Sequence, residues 1–312
     1  MAGVAVLAGG VGAARLLTGM VRAVPPAEVT AIVNVGDDTV LHGLAISPDL
    51  DTVVYTVAGA IDAERGWGLR DESWQAMATL ERYGGLTWFG LGDRDLGTHL
   101  YRTARLADGA PLSVVTAEIA RAWDLELTVL PVSDDPVRTH VTLASGPEAG
   151  SEVAFQDYFV RLQHSVPVSS VRIAGASSAS AAPGVLAALE SADTVVVAPS
   201  NPIVSIGPVM AVPGVQEAVA ARRSSVVAVS PLVGGKALKG PADRLMRELG
   251  HEDSVVGVAR LYAPYVGTLV IDTADADFSA AVEAEGLRCV VTDTIMRDPA
   301  AAADLCKVAL GR

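Results

Sequence analysis

The chain has 312 residues, half of them apolar, and a formal net charge of −13. That length allows one large or two ordinary domains, and the acidity excludes nucleic acid or an anionic membrane as the main partner. Cys289 and Cys306 make no disulfide framework or metal-ligand spacing, no apolar run approaches the about 20 residues of a membrane span, and no basic leader precedes Gly9-Gly10, so a reducing cytoplasm is the expected compartment.

The first stretch organises the rest. Val4 to Ala8 are five small apolar residues that read as a buried parallel strand. Gly9-Gly10-Val11-Gly12 follow, and then Leu16, Leu17, Met20 and Val21 recur at helical spacing. Strand, glycine turn and helix N-terminus together put free N–H groups and a positive dipole end where a phosphate could sit, although a tight strand-to-helix turn needs no ligand. A second strand, Val29 to Val33, runs into Asn34-Val35-Gly36-Asp37-Asp38. Ligands of open parallel sheets collect at the carboxyl ends of strands, so Asp37 and Asp38 are expected near the glycine turn. Two acids beside a phosphate repel it unless a cation such as Mg²⁺ intervenes; the alternative is a solvated Asx turn or helix cap. Asp49 and Asp51 flank Leu50 just beyond, ahead of a segment, Val53 to Val57, that reads as strand or helix, and they read as caps or as further members of an acidic cluster.

Residues 61 to about 125 hold all four tryptophans and several helical patterns, around Met77, Leu100 and Ile119, and read as a helical insertion over the sheet edge within a single domain. Inside it, Trp88-Phe89-Gly90-Leu91-Gly92-Asp93 puts aromatic rings beside a polar loop, which suits either ordinary core or stacking of a flat ligand; a lone His99 follows. Leu127 to Val132 is another strand, and the alternation from Val137 to Leu143 suggests a hairpin-like pair. The second half returns to an α/β rhythm. Thr194 to Ala198 ends in Pro199-Ser200-Asn201-Pro202, Val226 to Val229 ends ahead of Gly234-Gly235-Lys236, and two further strands and a terminal helix close the chain. The expected architecture is a Rossmann-like, mostly parallel α/β sheet with helices on both faces.

These stretches resemble one family, the 2-phospho-L-lactate transferases of coenzyme F-420 biosynthesis, in their actinobacterial form. The matching segments are LAGGVGAARLL, NVGDD, SPDLDT, RGWG, GLGDRDLGTH, PVSDDPV, FQDYFV, APSNPIVSIGP, VSPLVGGKALKGPADRLM and TDTIM, spread over nearly the whole chain. The resemblance implies transfer of a phospholactyl or phosphoenolpyruvyl group from a guanosine-diphosphate-linked donor to the deazaflavin Fo, with release of GMP, Mg²⁺ as cofactor and a homodimer as the assembly. Carried over residue by residue, Gly9, Gly10 and Gly12 would hold donor phosphates. Asp37 and Asp38 would hold the metal, and Asp51 would stand at the acceptor hydroxyl; these three acids form the implied catalytic set. Trp88, Phe89, Gly90 and Asp93 would lie along the acceptor, and Ser200, Asn201, Pro202, Gly234, Gly235 and Lys236 along the nucleotide. Where the family loop often reads Gly-Gly-Thr-Gly-Thr-Pro-Lys, this chain has Gly-Gly-Val-Gly-Ala-Ala-Arg, keeping the glycines and exchanging the Lys for Arg15. Two rivals share parts of the pattern: sugar nucleotidyltransferases, through Leu7 to Arg15, and non-catalytic regulators that bind a nucleotide-sugar on a similar glycine loop.

Overall fold

A computed structural model describes residues 3–312. Its centre is a seven-stranded parallel sheet, whose strands we number in chain order: β1 Val4–Ala8, β2 Val29–Val33, β3 Thr128–Pro131, β4 Thr194–Val197, β5 Val226–Val229, β6 Thr268–Asp272 and β7 Arg288–Thr292. They lie in the order β7-β6-β5-β4-β1-β2-β3. All five residues of β1 are buried, as expected of a strand covered on both faces and paired on both edges. The chain leaves β1 in one direction through β2 and β3, then returns to lay β4 on the other side. The loops after β1 and β4 therefore diverge and open a crevice at the sheet's carboxyl edge.

The first helix, α1 (Gly10–Ala23), starts inside that crevice. Its inner face is built for close approach. A Cβ on Gly12 would stand 2.3 Å from the Pro199 carbonyl oxygen, and one on Gly19 would stand 2.3 Å from the Ala302 carbonyl carbon of the last helix, Pro299–Ala309. Cys306 in that helix points its Sγ at the Leu16 carbonyl, 3.4 Å away.

Between β2 and β3 the chain makes a short hairpin (Thr39–Leu41 with Leu44–Ile46) and four helices: α2 Pro48–Val57, α3 Gln75–Arg82, α4 Asp95–Ala107 and α5 Leu112–Ala122. The ambiguous stretch Val53 to Val57 is thus helical. Helix α4 has an inverted pattern. Asp95, His99 and Arg102, at i, i+4 and i+7, form its buried face, while Leu100 and Tyr101 are exposed. A second, antiparallel sheet follows β3. Its central strand, Arg138–Leu143, pairs with Glu152–Ala154 and with Val168–Ala174, and it covers a separate apolar cluster around Phe155, Tyr158, Val204 and Leu245. The pairing suggested by the alternation at Val137 to Leu143 is present, extended by a third strand on the far side. Among the described residues no helix is long and apolar enough to cross a membrane.

Candidate functional site

The crevice widens into a cleft of about 690 Å³ that runs from the glycine turn beneath the loops around Trp67, Phe89, Phe159 and Lys239. Gly9, Gly10 and Gly12 line its floor, together with Ser200 and Asn201 from the loop after β4. The Ser200 hydroxyl donates to the Gly9 carbonyl at 2.7 Å and so ties the two diverging loops together. Gly10 has φ +70, a conformation that favours glycine, and a Cβ on Gly9 would stand 2.8 Å from the Ser205 Cβ. The Asn201 side-chain oxygen accepts from the Ile203 and Val204 amides, capping the turn at Pro202–Ile206, while its Nδ2 is buried without a hydrogen-bond partner.

Four aspartates converge beside this floor, all buried: Asp37 and Asp38 after β2, Asp49 and Asp51 in the first turn of α2. Asn34 organises them. Its oxygen takes the Gly36 N–H at 2.7 Å, and its Nδ2 reaches Asp49 at 2.9 Å and Asp37 at 3.3 Å. Burial, then the Asp49 charge, holds the Asp37 carboxyl well above the ordinary range, against the Asn34 hydrogen bond. Burial raises Asp49 to about 6, opposed by Asn34 and by the Gly10 amide. Burial likewise raises Asp38 to about 7, opposed by the Arg138 and Arg102 charges and by the Ser47 hydroxyl, which donates to Asp38 Oδ2 at 2.9 Å. Asp38 Oδ1 is buried with no hydrogen-bond partner. Asp37 lines both the main cleft and a side pocket of about 150 Å³, which Asp38, Arg138 and Gln156 also line.

Asp51 has different company. Its carboxylate faces the guanidinium of Arg102 on α4, with both oxygens engaged; the Nη1 contact to Oδ2 is 3.1 Å. His99 Nδ1 lies 3.7 Å from the same carboxylate, and His99 Nε2 lies 3.3 Å from Asp95. The Tyr55 hydroxyl donates to Asp95 at 2.7 Å. Asp51, Asp95 and His99 can bring one ligand atom each within 4.8 Å of one another, which is enough for a metal ion. Asp51, however, already carries a cation, and Asp95 already has a donor. Asp37, Asp38 and Asp49 accept hydrogen bonds from Asn34 and Ser47 but form no direct ion pair among the described residues. The orphaned Asp38 oxygen and the mutual repulsion of Asp37 and Asp49 fit an oxygen-binding divalent cation better.

The remaining residues singled out in the sequence divide between cleft and scaffold. Phe89 and Gly90 line the cleft with Trp67, which is 43 % exposed; Trp88 does not, and packs edge-on against Phe89 at 5.8 Å. A Cβ on Gly90 would meet Trp67 at 3.1 Å. Asp93 caps α3, accepting from the Gln75 and Ala76 amides at 3.0 Å, and stays outside the cleft. Pro202 is buried in the capped turn. Gly234 and Gly235, both at positive φ, make the two-residue turn of a hairpin that pairs Leu232–Val233 with Lys236–Ala237. Neither they nor Lys236 line the cleft, whereas Lys239 does. Arg102, Phe155 and Phe159 are not expected as site residues from the sequence, which offers Lys236 and Lys239 alike as phosphate-neutralising cations and ranks Asp51 above Asp49; of the two lysines only Lys239 lines the cleft. The spacing Asp95-x3-His99-x2-Arg102 was the signal available for Arg102.

Fold and site define a doubly wound α/β protein with a glycine turn at the point where strand order reverses, in one cleft with buried carboxylates. The model of the 2-phospho-L-lactate transferase CofD family matches residues 4–309, and the chain belongs to that family. A protein from Kitasatospora aureofaciens named phosphoenolpyruvate transferase is 46 % identical over 308 residues, covering 97 % of this chain and 95 % of that one. One of the same name from Mycolicibacterium smegmatis is 40 % identical over 319 residues, covering 98 % and 97 %. A solved structure of a UPF0052-family protein from Bacillus halodurans shares the fold, with a TM-score of 0.62 at 17 % identity, covering 99 % of this chain and 98 % of that one.

Proposed function

We propose that the protein transfers a phosphoenolpyruvyl or phospholactyl group from a guanosine-diphosphate-linked donor to the terminal hydroxyl of the deazaflavin Fo, releasing GMP. The observation that carries this reading is the placing of buried carboxylates, with one Asp38 oxygen lacking a partner, beside a glycine turn in one cleft with an aromatic wall. Family membership and relatives named phosphoenolpyruvate transferase support the reaction class, and those names favour the enolpyruvyl donor.

In this reading the amides at the start of α1 take the donor diphosphate, and Ser200 and Asn201 border the nucleotide. Asp37, with Asp49 and the free oxygen of Asp38, would hold Mg²⁺. When bound, that ion would neutralise charge on the diphosphate oxygens. Trp67 and Phe89 give the flat acceptor an apolar wall, and Gly90 keeps that wall free of a side chain that would crowd Trp67. The chain's own contribution is alignment: a hydroxyl brought in line with one phosphorus, with GMP leaving on the opposite side. Asp51, locked to Arg102, then serves as a positioning residue beneath the cluster.

The test offers phosphoenolpyruvate and phospholactate together to the enzyme with Fo, GTP, Mg²⁺ and a guanylyltransferase, and reads products by mass spectrometry. The expected product is the phosphodiester of Fo carrying the enolpyruvyl acid, formed by wild type and not by Asp37→Ala. Absence of any Fo phosphodiester, with release of pyrophosphate from a nucleoside triphosphate and a sugar phosphate, would transfer the protein to the nucleotidyltransferases.

A further inference from the structure

Four cations line the cleft, in a chain that is acidic overall: Arg15, Arg65, Lys239 and Arg297. Two are already spent. Arg297 pairs with Asp293. Arg65 pairs with Asp62 at 2.9 Å, donates to the Leu69 carbonyl at 2.8 Å, and has its guanidinium 5.5 Å and 5.3 Å from the ring centres of Trp67 and Trp74. Its work is to hold Trp67 against the cleft. Arg15 stands in the second turn of α1, next to the glycines that would take the diphosphate.

Lys239 has neither an acid partner among the described residues nor a place on the sheet edge. It is carried by residues 238–241, a short strap between the Gly234-Gly235 hairpin and the helix Ala242–Glu248. The strap crosses the cleft. At one end a Cβ on Gly240 would stand 3.9 Å from Phe159; at the other the Lys239 Nζ lies where a Cβ on Gly66 would be only 2.8 Å away. Gly66 and Gly240 both have positive φ, so glycine suits both contact points for conformational as well as steric reasons. The result is an ammonium without an ion-pair partner among the described residues, beside Gly66 in the cleft that the glycine turn also lines.

We propose that Lys239 holds the carboxylate of the transferred three-carbon acid. This rests on the transferase reading above. The donor has two anionic parts. Its diphosphate would be served by backbone amides at the start of α1 and by a cation that Asp37, Asp38 and Asp49 would hold, and its acid group needs a separate positive partner, which the strap supplies. An ammonium on a flexible stem suits a group that must be released again after transfer.

The test measures binding of three probes to the full chain by calorimetry in the presence of Mg²⁺: GDP, phosphoenolpyruvate, and methyl phosphate, which lacks the carboxylate. In Lys239→Met we expect phosphoenolpyruvate to weaken about tenfold, with GDP and methyl phosphate within twofold of wild type, and Lys239→Arg to recover most of the loss. Unchanged phosphoenolpyruvate binding in Lys239→Met, or no phosphoenolpyruvate binding by wild type, overturns the proposal. Equal weakening of GDP and methyl phosphate overturns it too, since the lysine would then serve phosphate. Failure of wild type to bind GDP speaks against the transferase reading instead, and is read separately from the carboxylate comparison.

Discussion

Replacing Arg102 by methionine is the sharpest probe of the buried scaffold. Arg102 is 2 % exposed and is the largest fully buried side chain among the described residues. Its guanidinium meets both oxygens of Asp51, which is itself buried. Methionine matches the aliphatic stem but leaves Asp51 buried without the guanidinium that faces both its oxygens. Breaking a buried pair from one side costs about 3–5 kcal/mol. For 312 residues, an unfolding entropy of about 2.1 cal/mol/K per residue gives about 0.66 kcal/mol/K, so the melting temperature should fall by about 5–8 °C. The double variant Arg102→Met with Asp51→Asn removes both charges and should recover at least half of that fall. Thermal unfolding followed by far-ultraviolet circular dichroism measures both. A single variant within about 1 °C of wild type would refute the reasoning, as would a double variant no better than the single one. Activity of the double variant then tells whether Asp51 positions the cluster or acts on the substrate.

The acid cluster should leave its mark on pH dependence. Folding raises the Asp38 carboxyl to about 7, so between pH 4 and pH 7 the unfolded chain releases a proton that the folded chain retains. Stability from this group is complete below pH 4 and falls by at most about 4 kcal/mol as pH rises through that window. Without divalent cations, Asp38→Asn should therefore melt higher than wild type at pH 8 and near wild type at pH 4; an equal difference at both pH values would sink the argument. Gly12→Ala and Gly19→Ala form a matched pair, since each puts a methyl group 2.3 Å from backbone. Each should cost about 1–3 kcal/mol of stability, while only Gly12→Ala should weaken GDP binding; loss of binding in both would show that α1 moves as one piece. Asp93→Ala should lower the melting temperature by uncapping α3 and leave KM for the acceptor unchanged; a tenfold rise in KM would put Asp93 at the acceptor after all.

The central sheet was legible because its strands are short, almost wholly apolar runs bounded by glycine, proline or aspartate. The positions of the glycine turn and of Asp37 follow from the strand order alone. The antiparallel sheet was only half legible, since Val168–Ala174 exposes Ser169, Ser170 and Arg172 and so carries little hydrophobic alternation. Asp49 and Asp51 show most clearly what a one-dimensional pattern withholds. Two residues apart in a helix, at about 100° per residue, their side chains point about 200° apart. One must face the cleft if the other faces α4, but which does so depends on an arginine 51 positions away. Lys236 and Lys239 differ in the same way: the hairpin turns one outward, and the strap carries the other back across the cleft.

The brace between α1 and the helix Pro299–Ala309 has a consequence for how the protein comes into being. The helix that follows the glycine turn rests at Gly19 and Leu16 on residues made nearly three hundred positions later. Until that last helix emerges, one flank of α1 stands uncovered, and a nascent chain stalled before residue 299 should expose it to chaperones. The support behind the glycine turn would thus wait for residues 299–309.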